Sequence, residues 1–409
     1  MKIGLITIGA ELLNGTRIDT NAGWIGREVI SNGGNVLWHT TISDTKDDII
    51  EALNNVPKLI DIVICTGGLG PTHDDITSNV LFDYFKVKAE FDSDYWDLLT
   101  NKFAQRDLKI PHINKNQAMK PSIGNIIPNP VGSARGLHLN NTSFVLFALP
   151  GVPSEMKGMM NEYVLPWIQE KSNITYNVKL LRTTGIMESA LYEKLESFIN
   201  DHQKIEVAFL PKFTGVDIRI SSNSKNSNSS FINKIKPIIN KYHYSELDIE
   251  LEDVVSKLLL SRNMTVSTAE SCTGGLISDR LTNVSGSSKY FNGGVVAYSN
   301  EIKSSVLNVD KNIISLYGAV SNEVAMEMAR GAKIKFSSDI GISTTGIAGP
   351  SGGTKSKSVG LVYVGISAGE FEKTYKFSFT PYRKANKLMT SQAALNIIRL
   401  FLLKGLRES

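Results

Sequence analysis

Cysteine is nearly missing from this chain: its 409 residues include only Cys65 and Cys272. Two are too few for a disulfide framework, and both lie beside glycine-rich turns, so a reducing cytoplasm is expected rather than export. A dominant charge is missing as well. The formal net charge is +4 and basic residues are scattered, so nothing demands nucleic acid or an anionic membrane as partner. No apolar run approaches the roughly 18–20 residues of a membrane span. The first apolar run, Ile3 to Ile8, is broken by Gly4 and followed by Glu11, without the length or cleavage site of a signal peptide. None of the six histidines stands two to four residues from another or from a cysteine, which leaves a zinc site unsupported. No short-period repeat is present.

What is there is an ordinary globular composition, 42% hydrophobic and 21% charged, in a chain long enough for two or three domains. Strand-like runs alternate with helical spacing at both ends. The class expected is α/β: two three-layer α/β domains with mainly parallel sheets, over residues 1–170 and 248–409. A small α+β module over 177–245 joins them.

In the first domain Lys2 to Ile8, Val36 to Ile42, Asp61 to Cys65 and Phe144 to Leu149 read as strands. Thr20 or Asn21 is expected to cap a helix to about Ser31, and Pro166 to interrupt the helix opened by Ser154 and Glu155. The third strand runs into Gly67-Gly68-Leu69-Gly70-Pro71-Thr72-His73-Asp74-Asp75. Glycines let backbone approach a phosphate, and the adjacent carboxylates of Asp74 and Asp75 suit a hydrated divalent cation bridging to it. A glycine-rich turn with a capping aspartate gives the same string. Glu11 and Asp19, following the first strand, strengthen the binding reading, because ligands of parallel sheets lie at carboxyl strand ends.

In the middle module the Ser- and Asn-rich run from Ser221 to Ser230 is expected to be a flexible loop, followed by a helix carrying Phe231, Ile235, Ile238 and Ile239. It shows no basic stripe or paired stacking aromatics, so nucleic acid is not expected there.

The last domain carries the stretch Ala269-Glu270-Ser271-Cys272-Thr273-Gly274-Gly275, a strand end, a tight turn and a helix start near Gly274. A helix N-terminus offers N–H donors and a positive dipole end for an oxyanion. Either Ser271 attacks an acyl carbon there or the stretch is a capped helix with glycine packing. Tyr298, Lys303 and Thr345 follow other strands and fall on the same rim. A lysine with a lowered pKa can take the serine proton, Tyr298 can relay it or orient the lysine, and the N–H groups of Thr273 and Gly274 can face an oxyanion. Cys272 is the rival nucleophile, and Arg383 can pair with a phosphate or carboxylate.

These motifs resemble the CinA family of competence/damage-inducible proteins over essentially the whole length. Gly9 to Gly15 and Thr66 to Asp75 are similar to its molybdopterin-binding-like domain, and Thr183 to Ser189 to the start of its KH-like middle domain. Ala269 to Gly275, Tyr298-Ser299-Asn300 with Lys303, Gly318 to Ser321 and Thr345 to Gly353 resemble its nicotinamide mononucleotide (NMN) deamidase domain. The resemblance implies hydrolysis of NMN to nicotinic acid mononucleotide and ammonia, with Ser271, Tyr298 and Lys303 as the catalytic group and no cofactor in that domain. It implies substrate contacts from Glu270, Thr273, Gly274, Gly275, Asn300, Thr345, Gly346, Gly349 and Arg383. For the first domain it implies a metal-dependent ADP-ribose pyrophosphatase, with nucleotide held by Glu11, Asn14, Asp19, Asn21, Gly67, Gly68, Gly70, Thr72 and Asn116, and a divalent metal by Asp74 and Asp75. A cytoplasmic homodimer is implied too. The alternative is a non-catalytic protein that binds pterin or serves DNA uptake. Two positions depart from the family pattern. Arg135 replaces the usual proline before Gly136, adding a cation and loosening the turn, and Ser358 replaces a proline before Val359-Gly360.

Overall fold

Buried strands of Ile, Val and Leu organise the first sheet of the computed structural model, which describes residues 1–172 and 177–404. Its strands are β1 (Lys2–Ile8), β2 (Asn35–Ile42) and β3 (Ile62–Thr66). A small separate pair follows, β4 (Ala89–Phe91) with β5 (Met119–Pro121), then β6 (Asn125–Ile127), β7 (Gly136–Asn140) and β8 (Val145–Leu149). The order is β2-β1-β3-β8-β7-β6, parallel as far as β8 and antiparallel beyond it. One core cluster packs Ile49, Leu53, Val80 and Leu81 on one face, and another packs Ile25, Val29, Met156 and Ile168 on the other. Helices on both faces explain why every β3 residue is buried.

Three local expectations need correction here. Asp19, not Thr20 or Asn21, caps the helix Thr20–Ser31, accepting from the Ala22 N–H at 2.9 Å. Pro166 does not interrupt its helix. A π-helical turn, Met160–Val164, precedes it and helix resumes over Leu165–Lys171. The wider turn accommodates a ring that lacks an N–H and would meet the carbonyl of Glu162. The Ser/Asn run does not form a loop: β11 (Gly215–Ser222) extends into it, and the helix Lys225–Ile239 begins within it. Phe231, Ile232, Ile235 and Ile239 bury one helix face, and this packing overrides weak local propensity.

The chain divides near Val178 into two compact units, with Asn223–Lys225 grouped with the first. In the second unit β9 (Asn177–Thr183), β10 (Glu206–Lys212), β11 and β12 (His243–Ser245) form a sheet in the order β10-β11-β9-β12. The last sheet contains β13 (Val266–Glu270), β14 (Phe291–Val296), β15 (Ile340–Gly346), β16 (Leu361–Ala368) and β17 (Phe371–Ser378), ordered β14-β13-β15-β16-β17. β13 is parallel to both neighbours, and β16 and β17 add antiparallel strands. Leu251, Val255 and Leu259 pack with Leu395 and Ile398 on one face, and Leu307, Val324 and Met328 on the other. The terminal helix Arg383–Lys404 binds the two sheets of this unit together. Gln392 Nε2 donates to Thr184 Oγ1 at 3.2 Å, and Arg399 donates to the Lys241 and His243 carbonyls at 2.6 and 3.0 Å. Among the described residues, no helix is long and apolar enough to cross a membrane.

Candidate active site

β13 is central and parallel, so its carboxyl end opens into a crevice beside β14 and β15. Ser271 sits at that end, its N–H donating to the Thr344 carbonyl of β15 at 3.0 Å. Gly274 and Gly275 then turn the chain at φ +60° and +92°, which side chains rarely adopt. The N–H groups of Thr273 and Gly274 find no acceptor among the described residues.

Lys303 comes from the next crossover. Ser299 Oγ caps the helix Asn300–Leu307 by accepting from the Ile302 N–H at 3.2 Å, and Lys303 lies one turn inside. The side chain points inward, only 2% exposed, with Nζ 2.9 Å from the Ala297 carbonyl and 3.2 Å from Ser271 Oγ. Burial holds its pKa below the ordinary lysine value, with Cys272 a smaller influence in the opposite sense. A neutral Lys303 can donate to Ala297 and still offer its lone pair to the serine proton. No salt bridge offsets its charge among the described residues, so the pair is poised for proton transfer rather than held as an ion pair.

Several residues implied by the resemblance stand elsewhere than expected. Glu270 is fully buried, and its carboxylate accepts from the Ile277 N–H at 3.1 Å and from the Ser278 N–H and hydroxyl at 2.8 and 2.7 Å. It therefore caps the short helix Leu276–Thr282 with both of its oxygens, and the helix start is later than Gly274 and already neutralised. Thr345 is buried with its hydroxyl on the Ala319 carbonyl at 2.6 Å. Thr273 is buried against Thr344, leaving its N–H as the polar group it can offer. Tyr298 is 61% exposed and contacts Arg383, not Lys303 or Ser271, so it does not orient the lysine. Arg383 also donates to the Gly349 carbonyl at 3.2 Å. Gly349, at φ +84°, lies where a Cβ would strike the Pro381 carbonyl, and Gly346 where it would meet Val362. Gly275 faces Val296, and Asn300 is exposed at its helix start. Cys272 is buried in the core cluster, its thiol pushed up to about 12 by burial. Sequence reasoning missed the Ala297 carbonyl, which no side-chain motif reports.

The first unit has a rim of its own. Gly67, at φ +117°, donates to the Leu149 carbonyl at 3.0 Å, and a Cβ there would collide with the Ile8 carbonyl oxygen. Gly68, at φ +66°, leaves room for the Thr77 hydroxyl. Asn21 donates to the Gly151 carbonyl at 2.8 Å. Asp19 Oδ2, Asn21 Oδ1 and Thr77 Oγ1 are buried without hydrogen-bond partners. Such atoms at strand carboxyl ends are the kind a ligand satisfies. Glu11 lies beside Gly9, while Asn14 is exposed and receives the Thr16 N–H at 2.9 Å. Gly70, Asp75 and Asn116 line a small cleft with Arg135.

The carboxylate pair does not fit a metal. Asp75 accepts from the Thr72 N–H at 2.9 Å and from its hydroxyl, while Asp74 lies exposed beside His73. Among the described residues no three His, Cys, Asp or Glu side chains cluster as metal donors. Arg135 does not loosen its turn either. It pairs with Asp92 at 2.7 Å and stacks 3.9 Å above the Tyr95 ring. Asn129 ties the turn by accepting from the Val131 and Gly132 N–H groups at 2.9 and 2.8 Å.

Fold and site together define a multi-module α/β protein in which a buried lysine meets a half-buried serine at the carboxyl end of an interior parallel strand. Residues 4–170 match the probable molybdopterin binding domain, 178–245 the damage-inducible protein CinA KH domain, and 248–402 the CinA C-terminal domain. A putative competence-damage inducible protein of Halothermothrix orenii is 39% identical, over 97% of this chain and 98% of its own. A CinA-like protein of Chloroherpeton thalassium is 40% identical, over 98% and 99% respectively. The crystal structure of the competence/damage inducible protein CihA from Agrobacterium tumefaciens is similar at 34% identity and TM-score 0.36, covering 38% of this chain and 98% of its own. The chain belongs to the CinA family.

Proposed function

We propose that the C-terminal module is an amidohydrolase acting on the carboxamide of NMN. The observation that supports it most is the 2% exposed Lys303 with Nζ 3.2 Å from Ser271 Oγ. Lys303 Nζ takes the Ser271 proton as Oγ bonds to the amide carbon, and the oxyanion faces the unpaired Thr273 and Gly274 N–H groups. The C–N bond breaks as that proton passes to the leaving nitrogen, releasing ammonia and leaving an acyl ester on Ser271. Water, losing a proton to Lys303, then adds to the ester; nicotinic acid mononucleotide leaves and Oγ recovers its proton. Tyr298 and Arg383, joined at the mouth, act on the substrate instead of on the lysine. Ammonia release from NMN in the presence of a chelator tests this. A trapped acyl group on Ser271, detected by mass after rapid quenching, supports covalent attack. Turnover that persists in Ser271→Ala defeats it.

The first unit is read as a nucleotide-binding module of ADP-ribose type. The buried oxygens of Asn21 and Thr77 without hydrogen-bond partners support this, with Asp19 Oδ2 beside them 3.7 Å from His39, and no metal-dependent step is assigned to it. Binding of ADP-ribose, and AMP formation from it, test the reading. A homodimer in a reducing compartment completes the proposal; both cysteines are buried and free, and sedimentation measures the oligomer.

A further inference from the structure

We infer that Arg135 reads a neutral hydrogen-bond acceptor on the heterocyclic base of the ligand held by the first unit, which makes it a specificity-determining residue there. This rests on the nucleotide reading of that unit and adds which part of the ligand the cleft beside Gly70 receives. Arg135 lines that cleft, and its side chain is only 8% exposed. Two of its nitrogens are spent: Nη1 donates to Asp92 at 2.7 Å and Nη2 to the Met119 carbonyl at 3.3 Å. Nε is buried with no hydrogen-bond partner. A guanidinium N–H buried without a partner is unfavourable, and a ligand acceptor removes that penalty. Arginine at this position is also one of the two departures from the family pattern, so the donor is particular to this chain.

The cleft decides what kind of acceptor this is. Its volume is about 20 Å³, room for one water-sized group, so it takes an edge atom and not a phosphate. Charge points the same way. Asp92 neutralises the guanidinium, and Asp75 is the other charged residue lining the cleft. An anion there would meet a carboxylate with no free cation to offset it. Gln117 supplies a second donor: its Oε1 accepts from Asn114 Nδ2 at 3.0 Å, which leaves the NH₂ as the group it can offer. Asp75 accepts from Thr72 through Oδ2, leaving Oδ1 for a donor on the ligand. Donors lining one cleft with an acceptor match the edge of a purine, where a ring nitrogen adjoins an amino group. Met119 and Ile126 add apolar surface for the face of the ring.

The test measures equilibrium binding to the full chain of AMP, its 1-, 3- and 7-deaza analogues, and ribose 5-phosphate. Arg135→Lys keeps a cation for Asp92 and lacks the Nε donor. It is expected to bind AMP about 10- to 100-fold more weakly than wild type does, the range of one hydrogen bond from a charged donor. Ribose 5-phosphate binding should stay within about twofold. In wild type one deaza analogue loses a similar factor, and Arg135→Lys no longer tells that analogue from AMP. Equal weakening of AMP and ribose 5-phosphate overturns the inference, because it assigns Arg135 to the phosphate or to the fold of the unit. Undiminished binding of AMP by Arg135→Lys, or of all three analogues by wild type, overturns it too. If wild type binds neither ADP-ribose nor AMP, the nucleotide reading fails by itself. Guanosine and a free pterin, whose ring carbonyls are the alternative neutral acceptors, then decide the inference, and whichever binds names the base. At least about tenfold weaker binding by Arg135→Lys sustains it, while equal binding, or no binding of either, removes it.

Discussion

Lys303 and Asp74 are ionisable groups that the sequence places beside glycine-rich strand ends, one in each compact unit, and the fold treats them in opposite ways. Lys303 is drawn almost wholly out of water and set against Ser271 Oγ. Asp74 stays exposed beside His73, while its neighbour Asp75 is absorbed into the turn by Thr72. In the first unit Asn21 Oδ1 and Thr77 Oγ1 are instead buried without a hydrogen-bond partner, and Asp19 Oδ2 has only His39 Nε2 at 3.7 Å. A desolvated base raises the energy of its own charged form and so gains a reason to move a proton. Unpaired acceptors at a strand end gain only from a ligand that donates to them. On the proposed reading one rim serves proton transfer and the other holds a ligand.

The sharpest way to break this contrast is to remove the pair. Ser271→Ala and Lys303→Met are each expected to lower ammonia release at least about 10³-fold, since a nucleophile and its base act as one unit. Lys303→Met should keep or raise the melting temperature, because an apolar side chain replaces an amine that burial disfavours as a cation. Wild-type rates in Ser271→Ala would make the pair a packing feature.

Next in size is pH. A neutral Lys303 is the active form, so the rate rises with pH along the acid limb, with its midpoint below the ordinary lysine value. Stability follows the same sign. The folded-state pKa is depressed, so between the folded and unfolded values the unfolded chain binds more protons and stability climbs with pH. Urea midpoints across that interval should show the climb in wild type and lose it in Lys303→Met. A rate that falls with pH over that interval contradicts the assignment of Lys303 as base.

The first unit answers to backbone changes. Gly67→Ala should destabilise it by at least about 1–3 kcal/mol, the range for forced left-handed strain, because of φ +117° and the Ile8 carbonyl in the way. Ammonia release should be untouched. For ADP-ribose, Asn21→Ala is expected to weaken binding about 3- to 10-fold, one neutral hydrogen bond, and Asp74→Ala to leave it within about twofold. A larger effect at Asp74 than at Asn21 would reverse the reading of this rim.

How much of this was legible follows the range of each interaction. Alternating strands and helices were visible because runs such as Ile62–Thr66 carry their own burial signal, and so was the turn at Ser271. Lys303 could be named from its place after a strand, but not its depth, which depends on the Ala297 carbonyl. Glu270 was misassigned because a carboxylate beside a serine looks the same in sequence whether it faces a ligand or the helix seven residues on. Asp75 failed as a metal donor for a similar reason: Thr72, three residues back, satisfies it. The Ser/Asn run misled because its polarity is local, while the packing of Phe231 and Ile235 that makes it helical is not.

The smallest expected effect tests the tightest distinction, between adjacent residues. Ser271 turns its hydroxyl to Lys303, whereas Cys272 points into the core with Val255, Leu281 and Ala394. Burial pushes its thiol up to about 12, so at neutral pH almost none is thiolate, the form that attacks carbon. Cys272→Ala should keep ammonia release within about threefold and cost about 1 kcal/mol of stability for the small cavity. A loss as deep as that of Ser271→Ala would make the thiol the nucleophile.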